Sequence, residues 1–268
     1  MANATDVANG ANGANGAPSA QNPKSALPLF YKNPMPLDAK AHNELGLKKN
    51  FGFGYTRGIN AVPINLIEMP QICHNYPIAF SPDGNATPVA ILGLRESENL
   101  FLHEDNTWER DVYIPAYVRR YPFIFSEMPQ GEQLTLCIDM DEAIIEKGGE
   151  QRFFGADGKP TDLANNALEF CKSYHAAAQQ TIRFSKALAK SGLLVDREAQ
   201  INISDNKRIN FSGFMIIDEK KLAELSDAVF LELRNEGFLP FIYAHLFSGA
   251  QWQRLTKLLN QKMEQNIA

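Results

Sequence analysis

Apolar and polar positions change their spacing three times along this chain. Residues 1–24 hold no apolar run, and Ala-Asn-Gly repeats across residues 8–16. Small polar side chains bury too little surface to offset the entropy of ordering, so a disordered low-complexity tail is expected there. The rest, residues 25–268, is expected to fold as a single domain. Pro28, Pro34 and Pro36 predict that it opens with an extended arm.

From about Asn60 to Asp139, short apolar runs alternate with turn residues, which predicts strands. Tyr76–Phe80 and Val89–Leu94 flank Asp83-Gly84 as the arms of a hairpin. Asp105-Asn106 marks a turn between Leu100–Leu102 and Trp108. Pro115 starts a short helical turn through Arg120, and Phe123–Phe125 and Leu134–Ile138 read as further strands.

The period then changes to helical. Leu163, Ala167, Cys171, Tyr174, Ala178 and Ile182 recur every three or four residues and draw one apolar stripe. Thr161 or Asp162 is the expected cap and Gly192 the terminator. Gln200–Ile203 and Ile209–Ile217 flank Asp205-Asn206 as a second hairpin. Helices are expected again beyond it, with Asp218 and Ser226 as caps and Gly237 as a break. Ser248 is expected to cap a last helix striped by Trp252, Leu255, Leu258 and Leu259. Strands first and helices later, without βαβ alternation, predict an α+β fold. Its β-rich N-terminal half packs with a mainly helical C-terminal part.

The 268 residues are 44% hydrophobic and 21% charged, with a net charge of −5. This is ordinary globular composition, and the acidity argues against broad nucleic-acid binding. No run approaches the roughly 18 apolar residues of a membrane span, and Leu239–Phe247 is far shorter. Residues 1–23 carry neither the basic nor the apolar region of a secretory signal. A cytoplasmic protein is therefore expected, the alternative being the cell surface by a signal-independent route. Cys73, Cys137 and Cys171 are widely spaced and read as buried, reduced thiols.

Several residues invite chemistry. Leu134–Asp141 reads LTLCIDMD, and a strand ending in Asp-x-Asp resembles the first motif of haloacid-dehalogenase-type phosphotransferases. That resemblance implies Asp139 as nucleophile and Asp141 as acid/base. Ala143 departs from the motif, and a solvated acidic turn is the plainer reading. The five histidines show no HxH or HExxH spacing; His103 sits in a turn, and His245 reads as a hydrogen-bonded core histidine. Arg119 and Arg120 could clamp an anion, but neighbouring residues point apart. A structural role is the expectation for both, one of them pairing with Glu98 or Asp111. Trp108, Tyr113, Tyr117 and Tyr121 read as core aromatics that could also line a pocket. The binding candidates are His74, Trp108, Arg119, Arg120, Asp139 and Asp141. No residue is assigned as catalytic or as a metal ligand, and no cofactor is expected.

Other blocks carry a family resemblance. Phe30-Tyr31 through Pro36-Leu37, with His42, forms the first. Val62-Pro63, Glu68, Tyr76-Pro77-Ile78, Leu92-Gly93-Leu94 and Glu98-Asn99-Leu100-Phe101 continue it, followed by Trp108, Tyr113-Ile114-Pro115-Ala116 and Arg119-Arg120-Tyr121-Pro122-Phe123. Leu233–Leu246, with Gly237 and Tyr243-Ala244-His245-Leu246, closes it. Together these resemble the SapC-like family of bacterial proteins, labelled S-layer-related. The resemblance implies association with the cell envelope and with neighbours such as TonB-dependent receptors, cupin-like proteins and tryptophan-halogenase-like proteins. It brings no catalytic residues. The expected function is a non-catalytic accessory or interaction protein whose partner is another protein or peptide. The alternatives are an enzyme with a dispersed metal or acid/base site, phosphatase-like, and a surface-layer subunit.

Overall fold

The computed structural model describes residues 27–127, 134–203 and 207–265. The tail expected over residues 1–24 and the Asp205-Asn206 turn lie outside them. The fold is α+β, as the patterning predicts, but its strands are shorter and more interrupted than the apolar runs suggest. The arm leads into β1 (Pro34–Pro36), α1 (Ala39–His42) and β2 (Leu45–Leu47). Asp38 starts α1 by accepting hydrogen bonds from the amides of Lys40 and Ala41. Next come β3 (Ala61–Pro63), a 3-10 turn at Leu66–Glu68, α2 (Met69–Ile72), β4 (Ile78–Phe80) and β5 (Pro88–Ile91). Pro63, Pro77 and Pro88 stand in or beside these strands and donate no amide hydrogen, which limits the ladders.

The short helix α3 (Ala116–Arg120) precedes β6 (Phe123–Glu127), β7 (Leu134–Asp139), β8 (Ile145–Lys147) and β9 (Gln151–Arg152). The long helix α4 (Asp162–Ser191) ends at Gly192, whose φ of 71° suits a residue without Cβ. Thr161 stands at its N-cap position but caps nothing, since its hydroxyl donates to the carbonyls of Arg152 and Phe153. The hairpin β10 (Leu194–Ile203) and β11 (Lys207–Ile217) follows, then α5 (Glu219–Ala223), α6 (Asp227–Asn235), α7 (Leu239–Ser248) and α8 (Gln251–Gln265). Asp218 caps α5 through the amides of Lys220 and Lys221, whereas Ser226 holds the cap position of α6 without a side-chain bond. Ser248 does not cap α8. It is buried at the end of α7, where its hydroxyl donates to the His245 carbonyl and accepts from the Ile78 amide.

Three antiparallel sheets organise these elements. The largest runs β10-β11-β4-β5-β3, so the C-terminal hairpin extends a sheet begun by the N-terminal half. The second, β1-β7-β6, takes the proline-rich arm as an edge strand. The third, β8-β2-β9, joins segments about a hundred residues apart that no local pattern connects.

Helix α4 spans two of the apolar clusters. Cys171 packs among Phe123, Ile138, Phe153 and Phe154, whereas Phe184 and Leu188 belong to the main core with Phe80 and Phe238. The predicted stripe holds for Leu163, Ala167 and Cys171 and then drifts. The buried residues of the second half are Ala177, Thr181, Phe184, Ser185 and Leu188, while Ile182 is 46% exposed. Two of these are polar, and a reading of apolar spacing passes over them. Thr181 accepts from the Leu66 amide and donates to the Ala177 carbonyl, and Ser185 donates to the Ala86 carbonyl. Their burial is compensated by hydrogen bonds.

Candidate functional site

The segment Glu98–Phe125 is mostly interior. Trp108 is buried, and its indole N–H donates to the Tyr76 hydroxyl at 2.9 Å. Tyr76 in turn donates to the Tyr113 carbonyl at 2.7 Å. The Asp105-Asn106 turn forms where the sequence places it. Asp105 accepts from the amide and hydroxyl of Thr107, and these bonds hold its carboxyl below the usual range. The Asn106 carbonyl accepts from the Phe53 amide, and its side-chain oxygen accepts from Arg57. Gly52, at φ 61°, lets the backbones meet, because a Cβ there would lie 2.7 Å from the Asn106 carbonyl oxygen.

This clamp leaves a cleft of about 690 Å³ between the Lys48–Tyr55 loop, the turn and Gln151. Phe51, Phe53, Tyr55, Trp108 and Tyr121 line it, with Lys48, Asp105 and Arg119 as its charged residues. Phe53 meets Trp108 edge-on at 5.7 Å, and Tyr55 lies 4.2 Å from Tyr121. The tyrosine hydroxyls are committed elsewhere, Tyr55 donating to the Val118 carbonyl and Tyr121 to Asp139. Burial raises both phenols above their ordinary pKa, so they stay neutral.

The paired arginines diverge, as adjacent positions on a short helix must. Arg119 is exposed; it donates to the Ile114 carbonyl and the Tyr113 hydroxyl and lies over the rings of Tyr113 and Phe170. Arg120 is held between Tyr117, 4.7 Å from its guanidinium, and Tyr174 at 4.4 Å, with Tyr31 at 5.7 Å. Burial opposes its charge and the tyrosines offset that, leaving its pKa raised. Its buried Nε has no hydrogen-bond partner among the described residues. Neither arginine pairs with Glu98 or Asp111. Glu98 instead stands 3.9 Å from Arg95. Arg120 lies instead against three tyrosine faces.

A family model for SapC matches residues 37–255, a span that includes the cleft, both arginines and most of the core. The chain belongs to the SapC family. No curated protein and no solved structure matches it.

The other candidates of this SapC chain lie outside the cleft. Asp139 is fully buried and accepts from the amides of Lys32 and Asn33 and from the Tyr121 hydroxyl. It ties the N-terminal arm to β7, which has antiparallel neighbours on both sides. That is unlike the parallel core in which the phosphotransferase motif works. Asp141 bonds the Lys32 ammonium at 2.7 Å, which lowers its pKa, and accepts from the Ala143 amide. His74 is exposed after α2 and joins neither the cleft nor the aspartates. Among the described residues, no three of His, Cys, Asp and Glu gather as metal ligands. All three cysteines are buried and unpaired, and burial pushes Cys171 up to about 11.

One buried carboxylate carries more of the architecture than its place in the sequence suggests. Glu68 accepts from the Asn65 amide, the Tyr113 hydroxyl and the Ala116 amide at the start of α3. The Asn65–Glu68 spacing of a capping box was the available sign. His245 meets its expectation as a core histidine. Its Nε2 accepts from the Ile217 amide, and burial lowers its pKa to about 4.

Proposed function

We propose that this SapC protein is a non-catalytic accessory protein that binds a segment of a partner protein in the aromatic cleft. The lining is the observation that carries this reading. Phe51, Phe53 and Tyr55 are half-buried in front of the buried Trp108 and Tyr121, and Lys48 and Arg119 share this lining, while Asp105 is spent on its own turn. Aromatic and arginine side chains supply most of the energy at protein interfaces, because they bury large rigid surfaces and still offer polar edges. The volume of about 690 Å³ falls within the range of binding pockets. The family's envelope and uptake associations make proteins of those systems the first partners to try.

A photo-crosslinking residue at Gln151, on the cleft wall, tests the reading in cells that express the neighbouring genes. A control crosslinker at Lys257, on α8, lies outside the cleft lining. The expected result is a discrete adduct from position 151 alone, lost on Phe53→Ala or Lys48→Glu. Equal adducts from both positions, or none from position 151, would overturn it.

A further inference from the structure

The start of the arm is held unevenly. Residues 27–30 make two hydrogen bonds among the described residues. The Tyr31 amide donates to the Pro28 carbonyl at 3.2 Å, and the Tyr117 hydroxyl donates to the Leu29 carbonyl at 3.5 Å. Leu27 is 53% exposed and Leu29 39%. From Tyr31 onward the arm is fastened. The Tyr31 hydroxyl donates to the Phe123 carbonyl at 2.6 Å, the amides of Lys32 and Asn33 donate to Asp139, and β1 pairs with β7. The boundary between loose and fastened chain falls between Phe30 and Tyr31.

The Phe30 ring is what keeps the loose part down. It meets Tyr55 edge-on at 5.2 Å, Tyr117 at 5.5 Å and Tyr121 at 6.1 Å. Tyr55 and Tyr121 line the aromatic cleft, and Phe30 does not. It therefore touches those two rings away from the open side, as a wedge among three tyrosines. The backbone is strained there. Phe30 has a φ of 78°, in the left-handed region where Cβ crowds the following carbonyl. A bulky residue keeps that conformation only where its surroundings impose it, and such positions gather at clamps and switches. Withdrawal of the ring relaxes this strain and opens the slot behind the cleft, while Tyr31 and Asp139 hold the rest of the arm.

We propose that residues 27–30 are a displaceable plug, in which Phe30 fills the slot among Tyr55, Tyr117 and Tyr121 until an aromatic side chain of a bound partner takes its place. The plug presupposes the aromatic cleft as the partner site and adds its regulation. The occupant and the incoming group share one chemistry, and the occupant, tethered through Tyr31, is always at hand to compete. Partner affinity is then reduced by the fraction of molecules in which Phe30 is seated.

Fluorine NMR on the full chain, with para-fluorophenylalanine in place of Phe30, tests this. N-acetylphenylalaninamide is the probe, and Trp108 fluorescence reports its arrival in the cleft. The expected result is a saturable shift of the fluorine signal from its seated position to that of the urea-unfolded chain, in step with Trp108. Phe30→Ala removes the competitor and should bind the probe at least about tenfold more tightly than the parent. Were Phe30 only a support, the same substitution would slacken Tyr55 and Tyr121 and weaken binding. A fluorine signal that stays seated while the probe saturates Trp108, or weaker binding by Phe30→Ala, would overturn the plug and leave the cleft reading standing. No saturable binding to either chain would overturn the plug as well, and the crosslink from position 151 then decides the cleft reading separately.

Discussion

Asp139 and Asp141 lie two residues apart in one acidic motif, and their surroundings separate them. Asp139 is enclosed and accepts from three donors, so Asp139→Asn removes the charge that strengthens these bonds and leaves a single oxygen to accept them. Its expected cost is about 2–3 kcal/mol, seen as a lower denaturation midpoint. Asp141 pairs with a lysine that is 72% exposed, so Asp141→Asn should change stability by less than about 1 kcal/mol. A pair of denaturant titrations decides, and equal costs would mean that the arm is not anchored through Asp139. His245 gives a pH signature. Its folded pKa of about 4 lies below the ordinary 6.5, so between those values the unfolded chain binds the extra proton. Stability should fall as pH drops from about 6.5 to 4, by about 3 kcal/mol from this group, and the loss should level off below that. His245→Gln keeps an acceptor for the Ile217 amide and should flatten the difference across that window. The motif at Asp139 was plain in the sequence; its meaning was not, because the Lys32 and Asn33 donors come from more than a hundred residues away.

Helix α4 shows how much of an element periodicity can place. Its start, its end at Gly192 and its first apolar turns follow from the spacing of Leu163, Ala167 and Cys171. Its second half does not, because two core positions there are hydroxyl residues whose partners lie in other segments. Thr181→Val keeps the shape but leaves the buried Leu66 amide without an acceptor. The expected loss is about 1–3 kcal/mol, with faster amide exchange at Leu66 and its neighbours. A Thr181→Val variant as stable as the parent would show that the helix is held by apolar packing alone. The short strands carry the same lesson. Tyr76–Phe80 and Val89–Leu94 do pair as a hairpin, but prolines trim the ladder to a few residues, and the sheet is completed by β11 from far down the chain.

The whole molecule joins its halves through that hairpin. Trp252 on α8 lies 5.5 Å from both Phe211 and Phe214, so the last helix clamps the strand that extends the N-terminal sheet. Trp252→Ala should cost about 2 kcal/mol, less than a full core truncation because the ring is half-buried. Hydrogen exchange should rise along residues 210–217, and unchanged protection there would place the clamp elsewhere. No helix among the described residues is long and apolar enough to cross a membrane. By itself the sequence determined the fold class, the long helix and its terminator and the turn at Asp105-Asn106, because local propensity, apolar period and turn chemistry act over a few residues; the family was legible only as a resemblance between motif blocks. Only the tertiary structure decided which aromatic side chains line a cleft, which cation is caged by Tyr117 and Tyr174, and which stretch of the α4 stripe stays open. Those outcomes depend on segments distant in sequence meeting in space, and no local pattern encodes that meeting.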